Sequence, residues 1–130
     1  MATIRAYTTI EQSQKLAKIL PLESADMYYD RGGLPSLIDK YVTHESIKND
    51  KYHHLIPCWT LASLLELLPY EICDDDGNSS YLQMNKEDDV YQLVYTDPYG
   101  DFECIETDRY EHFVDACVDM IEKLHELNLL

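Results

Sequence analysis

The stretch HHLIPCWTLASLLELLP (residues 53–69) places two imidazoles, a thiol and the only tryptophan against a leucine-rich run. His53, His54 and Cys58 are the side chains here that carry chemistry. Tetrahedral zinc takes about four N, S or O ligands, normally delivered by short paired spacings. The chain has no CxxC, HxxxH or HExxH, and adjacent residues such as His53 and His54 diverge on a strand. Neither a metal nor a cofactor is therefore expected. Nucleophilic catalysis requires a thiolate near a base, often at a helix N-terminus. Cys58 precedes a helix cap by two residues, but Ile56, Pro57 and Trp59 around it are apolar, and burial raises a thiol pKa. No catalytic residue is assigned. An enzyme or metal-binding protein using Cys58 with His53 or His54 stays open as an alternative.

A second acidic motif, CDDDGNSS, fails the calcium-loop test. With Gly77 at the sixth position, Ile72 falls at the first and Gln83 at the twelfth, where acidic ligands are required. Asp74, Asp75 and Asp76 read more simply as turn residues.

A third constellation is the acidic stripe Glu111, Asp115, Asp119, Glu122 and Glu126. Like charges four apart on a helix cost roughly 0.2–0.5 kcal/mol per pair, relieved here at Asp119 by Lys123. The stripe reads either as a solvated helix face or as a docking face for a basic protein partner. The tyrosines, eleven in all, suit both strand positions and interfaces.

The whole-chain charge points the same way. Of the net −15, residues 1–65 contribute nothing, with seven acidic and seven basic side chains. Residues 66–130 hold eighteen acidic and three basic ones. Such a surface repels phosphates and anionic lipid, so neither nucleic acid nor membrane is an expected partner. No apolar run reaches the roughly 18–20 residues that span a bilayer, and MATIRAYTTIEQ lacks the apolar core of an export signal. The expected location is cytoplasmic, with the four cysteines reduced and mostly buried.

These residues need elements to position them. YTTIEQSQKLAKIL predicts a helix over about 9–20, with Thr8 and Glu11 as a capping box and Pro21 as its stop. ADMYYDRGG reads as a short strand, residues 34–42 are ambiguous, and HESIKNDKYHH reads as an exposed loop. Thr60 predicts the cap of a helix over about 60–68. Its stripe of Leu61, Leu64, Leu65 and Leu68, widened by Ala62 and Leu67, calls for burial or for covering a partner's surface, and Trp59 and Leu64 are spaced as a hydrophobic staple. YEICDDDGNSSYLQM predicts a hairpin, and VYQLVYTDPYGDFECIET two strands around a DPYG turn. In YQLVYT, Tyr91, Leu93 and Tyr95 should face one way and Gln92, Val94 and Thr96 the other; Phe102 and Cys104 should share a face. Asp108 and Glu111 suggest a capping box for a last helix over about 109–127, with an apolar stripe from Phe113 to Leu127. The sum is an α+β chain expected as one domain over 1–130. It has three main helices and a three- to five-stranded antiparallel sheet, mostly within 70–107.

Taken in order, IEQSQKLAKILPLESADMYY, IPCWTLASLLELLP and VDACVDMIEKLHELNLL resemble a family of small proteins from gut anaerobic bacteria and their prophages and mobile elements. The resemblance covers about half of the chain. It implies a genetic setting and carries no activity, so no functional residue is transferred. The recurring blocks are those read here as core-forming. The expected function is that of a small acidic accessory protein presenting carboxylates to a basic partner, a DNA mimic being its sharper form. A homo-oligomeric structural protein, joined through the 61–68 helix or the terminal NLL, is a further alternative.

Overall fold

The structure, a computed structural model, describes residues 5–99 and 103–130. It is α+β, with four helices and two antiparallel sheets. The chain forms two compact units, 1–65 and 66–130, and each is taken by itself.

The first unit opens with helix α1 (Ile10–Leu16). Its capping box is Thr9 with Gln12: the Gln12 amide donates to Thr9 Oγ1 at 3.1 Å, and the Thr9 amide donates to Gln12 Oε1 at 3.0 Å. Thr8, expected in that role, is instead turned inward. Its hydroxyl is fully buried and accepts from the Trp59 amide at 3.2 Å. Regular helix ends at Leu16, short of the expected residue 20. The bonds Ile19 N–H to Leu16 O and Leu20 N–H to Leu16 O carry the winding on as turns up to Pro21.

Strands β1 (Met27–Tyr29), β2 (Pro35–Leu37) and β3 (Ile56–Cys58) form a three-stranded sheet with β1 in the middle. Met27 lies opposite Leu37 and Cys58, Tyr29 opposite Pro35 and Ile56. By alternation, Met27 and Tyr29 face a core containing Cys58, Ile56 and Tyr7, whereas Tyr28 faces the other side. Gly33, at φ +79°, makes the left-handed turn of the β1–β2 hairpin.

Residues 44–48, expected as loop, form helix α2 (His44–Lys48). Thr43 and Ser46 exchange the two bonds of a capping box, and Ile47 is buried. One buried apolar residue in a single turn leaves almost no periodic signal, which is why the polar composition misleads.

Helix α3 (Leu61–Leu67) is capped as expected: the Ser63 amide donates to Thr60 Oγ1 at 3.2 Å. Trp59, Leu64 and Leu68 are buried, but Leu65 is 39% exposed and Leu61 and Leu67 are half-buried. Of the two expectations for this near-apolar helix, burial within the chain holds for one stripe only. Two turns present only one stripe inward, and the remaining leucines stay at the surface.

The second unit is a four-stranded sheet in the order β4 (Glu71–Cys73), β5 (Ser79–Glu87), β6 (Val90–Thr96), β7 (Glu103–Glu106). The acidic loop is the β4–β5 turn. Asp74 Oδ1 accepts from the Asp76 and Asn78 amides, and Gly77 takes φ +82°. The β5–β6 turn has two left-handed aspartates, Asp88 and Asp89, between the paired residues Glu87 and Val90. That is a two-residue hairpin loop of the kind that matches strand twist. The predicted DPYG turn and the placement of Phe102 lie outside the described residues.

Residues 93–96 are all buried, so the expected alternation along β6 does not separate an inner from an outer face. A bulge between Tyr95 and Thr96 shifts the register against β7.

Helix α4 (Phe113–Glu126) packs against β6. Val114, Ala116, Cys117, Val118, Met120, Ile121 and Leu124 are buried along it. Each large aliphatic side chain so buried contributes about 1.5–3 kcal/mol of transfer free energy. The helix starts at Phe113, not 109, and the Asp108–Glu111 capping box does not form. His112 is the cap without a side-chain bond, while the Asp108 amide donates to Asp119 Oδ2 at 3.1 Å. Leu127, expected in the apolar stripe, is 55% exposed. Among the described residues no helix is long and apolar enough to cross a membrane.

Candidate functional site

The three chemically suggestive residues of the first unit do not converge. The Cys58 thiol is fully buried; it sits 3.5 Å from both the hydroxyl and the carbonyl oxygen of Thr8. Burial pushes its pKa up, which disfavours the nucleophilic thiolate. His53 is at the surface, its Nδ1 3.4 Å from Asp50 Oδ1. His54 is also exposed and takes a left-handed backbone, φ 52°. No group of three or more His, Cys, Asp or Glu side chains among the described residues is arranged to hold a metal ion.

The four cysteines are all free thiols. Cys58 and Cys117 are buried, but Cys73 and Cys104 are exposed at the sheet of the second unit, against the expectation that most would be interior. Cys104 Sγ lies 2.9 Å from Ser80 Oγ. Cys73 Sγ lies 3.5 Å from Ser79 Oγ, which donates to Glu71 Oε1 at 2.6 Å.

The five carboxylates of the α4 stripe separate into two groups. Glu111 and Glu126 are exposed, and Asp115 and Glu122 are half-buried. Asp119 is turned into its own unit, with a side chain only 14% exposed. It accepts from the Tyr110 hydroxyl at 2.9 Å and from the Asp108 amide, and pairs with Lys123 at 3.2 Å. The Asp119 carboxylate raises the pKa of Lys123, and burial followed by the same carboxylate pushes Tyr110 up to about 12. Asp119 therefore ties the segment before α4 to the helix, which the spacing pattern alone cannot separate from a surface role.

Beyond α4, acidic side chains continue around the second unit. Glu71, Asp74, Asp75 and Asp76 lie on β4 and its turn, Glu87, Asp88 and Asp89 at the β5–β6 hairpin, and Glu106 on β7; all are exposed. A groove of about 810 Å³ runs beside the β4–β5 turn. Asp74, Asp75 and Asp97 line it together with Ile72, Ile105 and Leu129. The compact-unit boundary at Leu65/Glu66 coincides with the charge boundary: the entire net −15 belongs to the second unit.

No protein-family model, curated protein or solved structure matches this chain.

Proposed function

We propose that the protein is a small binding module whose acidic unit, residues 66–130, docks a basic protein partner. The observation that carries this reading is the coincidence of structural and electrostatic boundaries, with a neutral first unit and a second unit holding all of the net charge. A field of one sign over a compact body accelerates encounter with a complementary surface and suppresses approach by anionic polymers and lipid. The groove lined by Ile72, Ile105 and Leu129 together with aspartates adds apolar surface among carboxylates. A partial apolar centre within polar surroundings is the usual anatomy of a protein interface. On α4, Glu111 and Glu126, with the half-buried Asp115 and Glu122, supply the outward carboxylates of the docking face; Asp119 serves the fold. The resemblance of the three core blocks to proteins of gut-bacterial mobile elements supports a mobile-element setting. In its sharper form the partner is a nucleic-acid-binding protein, and the carboxylates stand in for phosphates.

Immobilised protein exposed to bacterial lysate at low salt should retain basic proteins and release them at about 0.5 M salt, where screening reaches only a few ångströms. The triple variant E111K/E122K/E126K should weaken retention. Duplex DNA should compete for the captured partner in the mimic version. Absence of any retained basic protein at low salt, or retention indifferent to salt and to the charge reversal, would overturn the proposal.

A further inference from the structure

The first unit holds a separate cavity that the acidic docking face does not use. It measures about 530 Å³, within the roughly 300–1,000 Å³ typical of small-molecule sites. Its walls come from the outward-facing Tyr28 of β1, Leu34 of the β1–β2 hairpin, and Val42 and Leu55 of the segment that carries α2. Asp30, Arg31, Ser46 and His53 supply its polar groups.

The charges at this cavity are not equivalent. Asp30 Oδ1 already accepts from the Gly32 and Leu34 amides at 2.9 and 3.0 Å. Asp50, behind His53, accepts from the His53 amide at 3.0 Å and the Leu55 amide at 2.8 Å, and these bonds hold its carboxyl below the usual range. Both oxygens of Asp50 and one of Asp30 are thus bonded to the loops that line the cavity. By contrast, no carboxylate pairs with the Arg31 guanidinium among the described residues, and it is exposed. Nδ1 of His53 is turned towards Asp50, and a neutral ring donating there keeps Nε2 as an acceptor, so His53 contributes no donor to an anion. The free donors at the cavity are therefore those of the Arg31 guanidinium, beside apolar walls.

We propose that this cavity binds a small amphipathic anion. Its apolar body sits against Tyr28, Leu34, Val42 and Leu55, and its carboxylate or sulfonate is held by Arg31. A guanidinium presents paired donors that match such a group.

The test is a fluorescence titration of the full chain with anilinonaphthalene sulfonate, an apolar aromatic anion. The uncharged parent amine and a cationic aromatic dye are run in parallel. Saturable one-site binding is expected for the anion, with both other probes weaker. Arg31→Ala should weaken binding about tenfold, equivalent to about 1.4 kcal/mol. Val42→Trp should abolish it by filling the cavity. Unchanged urea midpoints of the two variants show that the fold is retained, and backbone amide shifts at Leu34, Val42 and Leu55 on titration locate the probe. Failure to saturate, equal affinity for the uncharged or cationic probe, or indifference to Arg31→Ala would overturn the proposal. None of these outcomes bears on the acidic unit.

Discussion

Asp26 grips Thr60 at two points. One carboxylate oxygen accepts from the Thr60 backbone amide at 2.9 Å, and the other takes the Thr60 hydroxyl. The first oxygen also accepts from Ser63 Oγ at 3.2 Å. The residue entering β1 thereby organises the start of α3 from thirty-four positions upstream. Thr60 can still cap its own helix because its hydroxyl oxygen accepts from Ser63 while its proton goes to Asp26. Hydrogen bonds to charged groups are worth about 1.5–3 kcal/mol each. Asp26→Ala should thus cost about 2–4 kcal/mol in urea unfolding at neutral pH. A loss below about 1 kcal/mol would show that the network is replaced by water.

The α4 stripe separates by experiment into fold and surface. Asp119→Ala removes the acceptor of the Tyr110 hydroxyl and the Asp108 amide, and should cost about 1–3 kcal/mol. Glu111→Ala and Glu126→Ala should change stability by less than about 0.5 kcal/mol, as surface substitutions do. Urea midpoints for the three variants decide it. Equal effects would remove the distinction between Asp119 and its neighbours.

The thiols should divide by accessibility. Cys73 and Cys104 are exposed and should react with a disulfide reagent within minutes in the native state, whereas Cys58 and Cys117 should react only after unfolding. The expected stoichiometry is two labels on the native protein and four in denaturant, read by absorbance and by mass.

Periodicity located α3 and α4 because each commits several apolar residues to one side, while turn residues between β-rich runs located the 71–106 sheet. It missed α2, which buries only Ile47, and it placed the first cap on Thr8, where two adjacent threonines offer the same local chemistry. Only tertiary structure decides that Thr8 turns to Trp59 and Thr9 to Gln12. The candidate face was visible as a charge pattern, but the inward role of Asp119 depends on Tyr110 and on a backbone amide eleven residues away. The unit 1 cavity carried no motif at all, since its lining residues are scattered from Tyr28 to Leu55.

Alkaline pH should erode stability. Burial pushes Cys117 up to about 12 from an ordinary 9.0, and raises Cys58 as well. Burial likewise lifts Tyr29 to about 12 from 10.0. A raised folded-state pKa means that the unfolded chain loses its proton first. The stabilisation is complete below the unfolded value and is lost as pH rises from about 9 towards 12. Cys117 should therefore cost about 1–1.5 kcal/mol between pH 8 and pH 10, with Cys58 acting in the same direction. Urea unfolding at the two values should show the drop, and Cys117→Ala should flatten it. A slope unchanged by that substitution would assign the loss elsewhere.

Thr96 offers the opposite kind of change. It is 3% exposed in the last position of β6, and its hydroxyl has no hydrogen-bond partner among the described residues. Burying an unpaired hydroxyl costs about 1–3 kcal/mol. Valine has nearly the same shape and the stiff branched Cβ that suits a strand, and it carries no polar group to desolvate. Thr96→Val should accordingly raise stability by about 1 kcal/mol, visible as a higher urea midpoint with an unchanged slope. A lower midpoint would mean that the hydroxyl is satisfied in solution, and that the bulge beside Tyr95 depends on it.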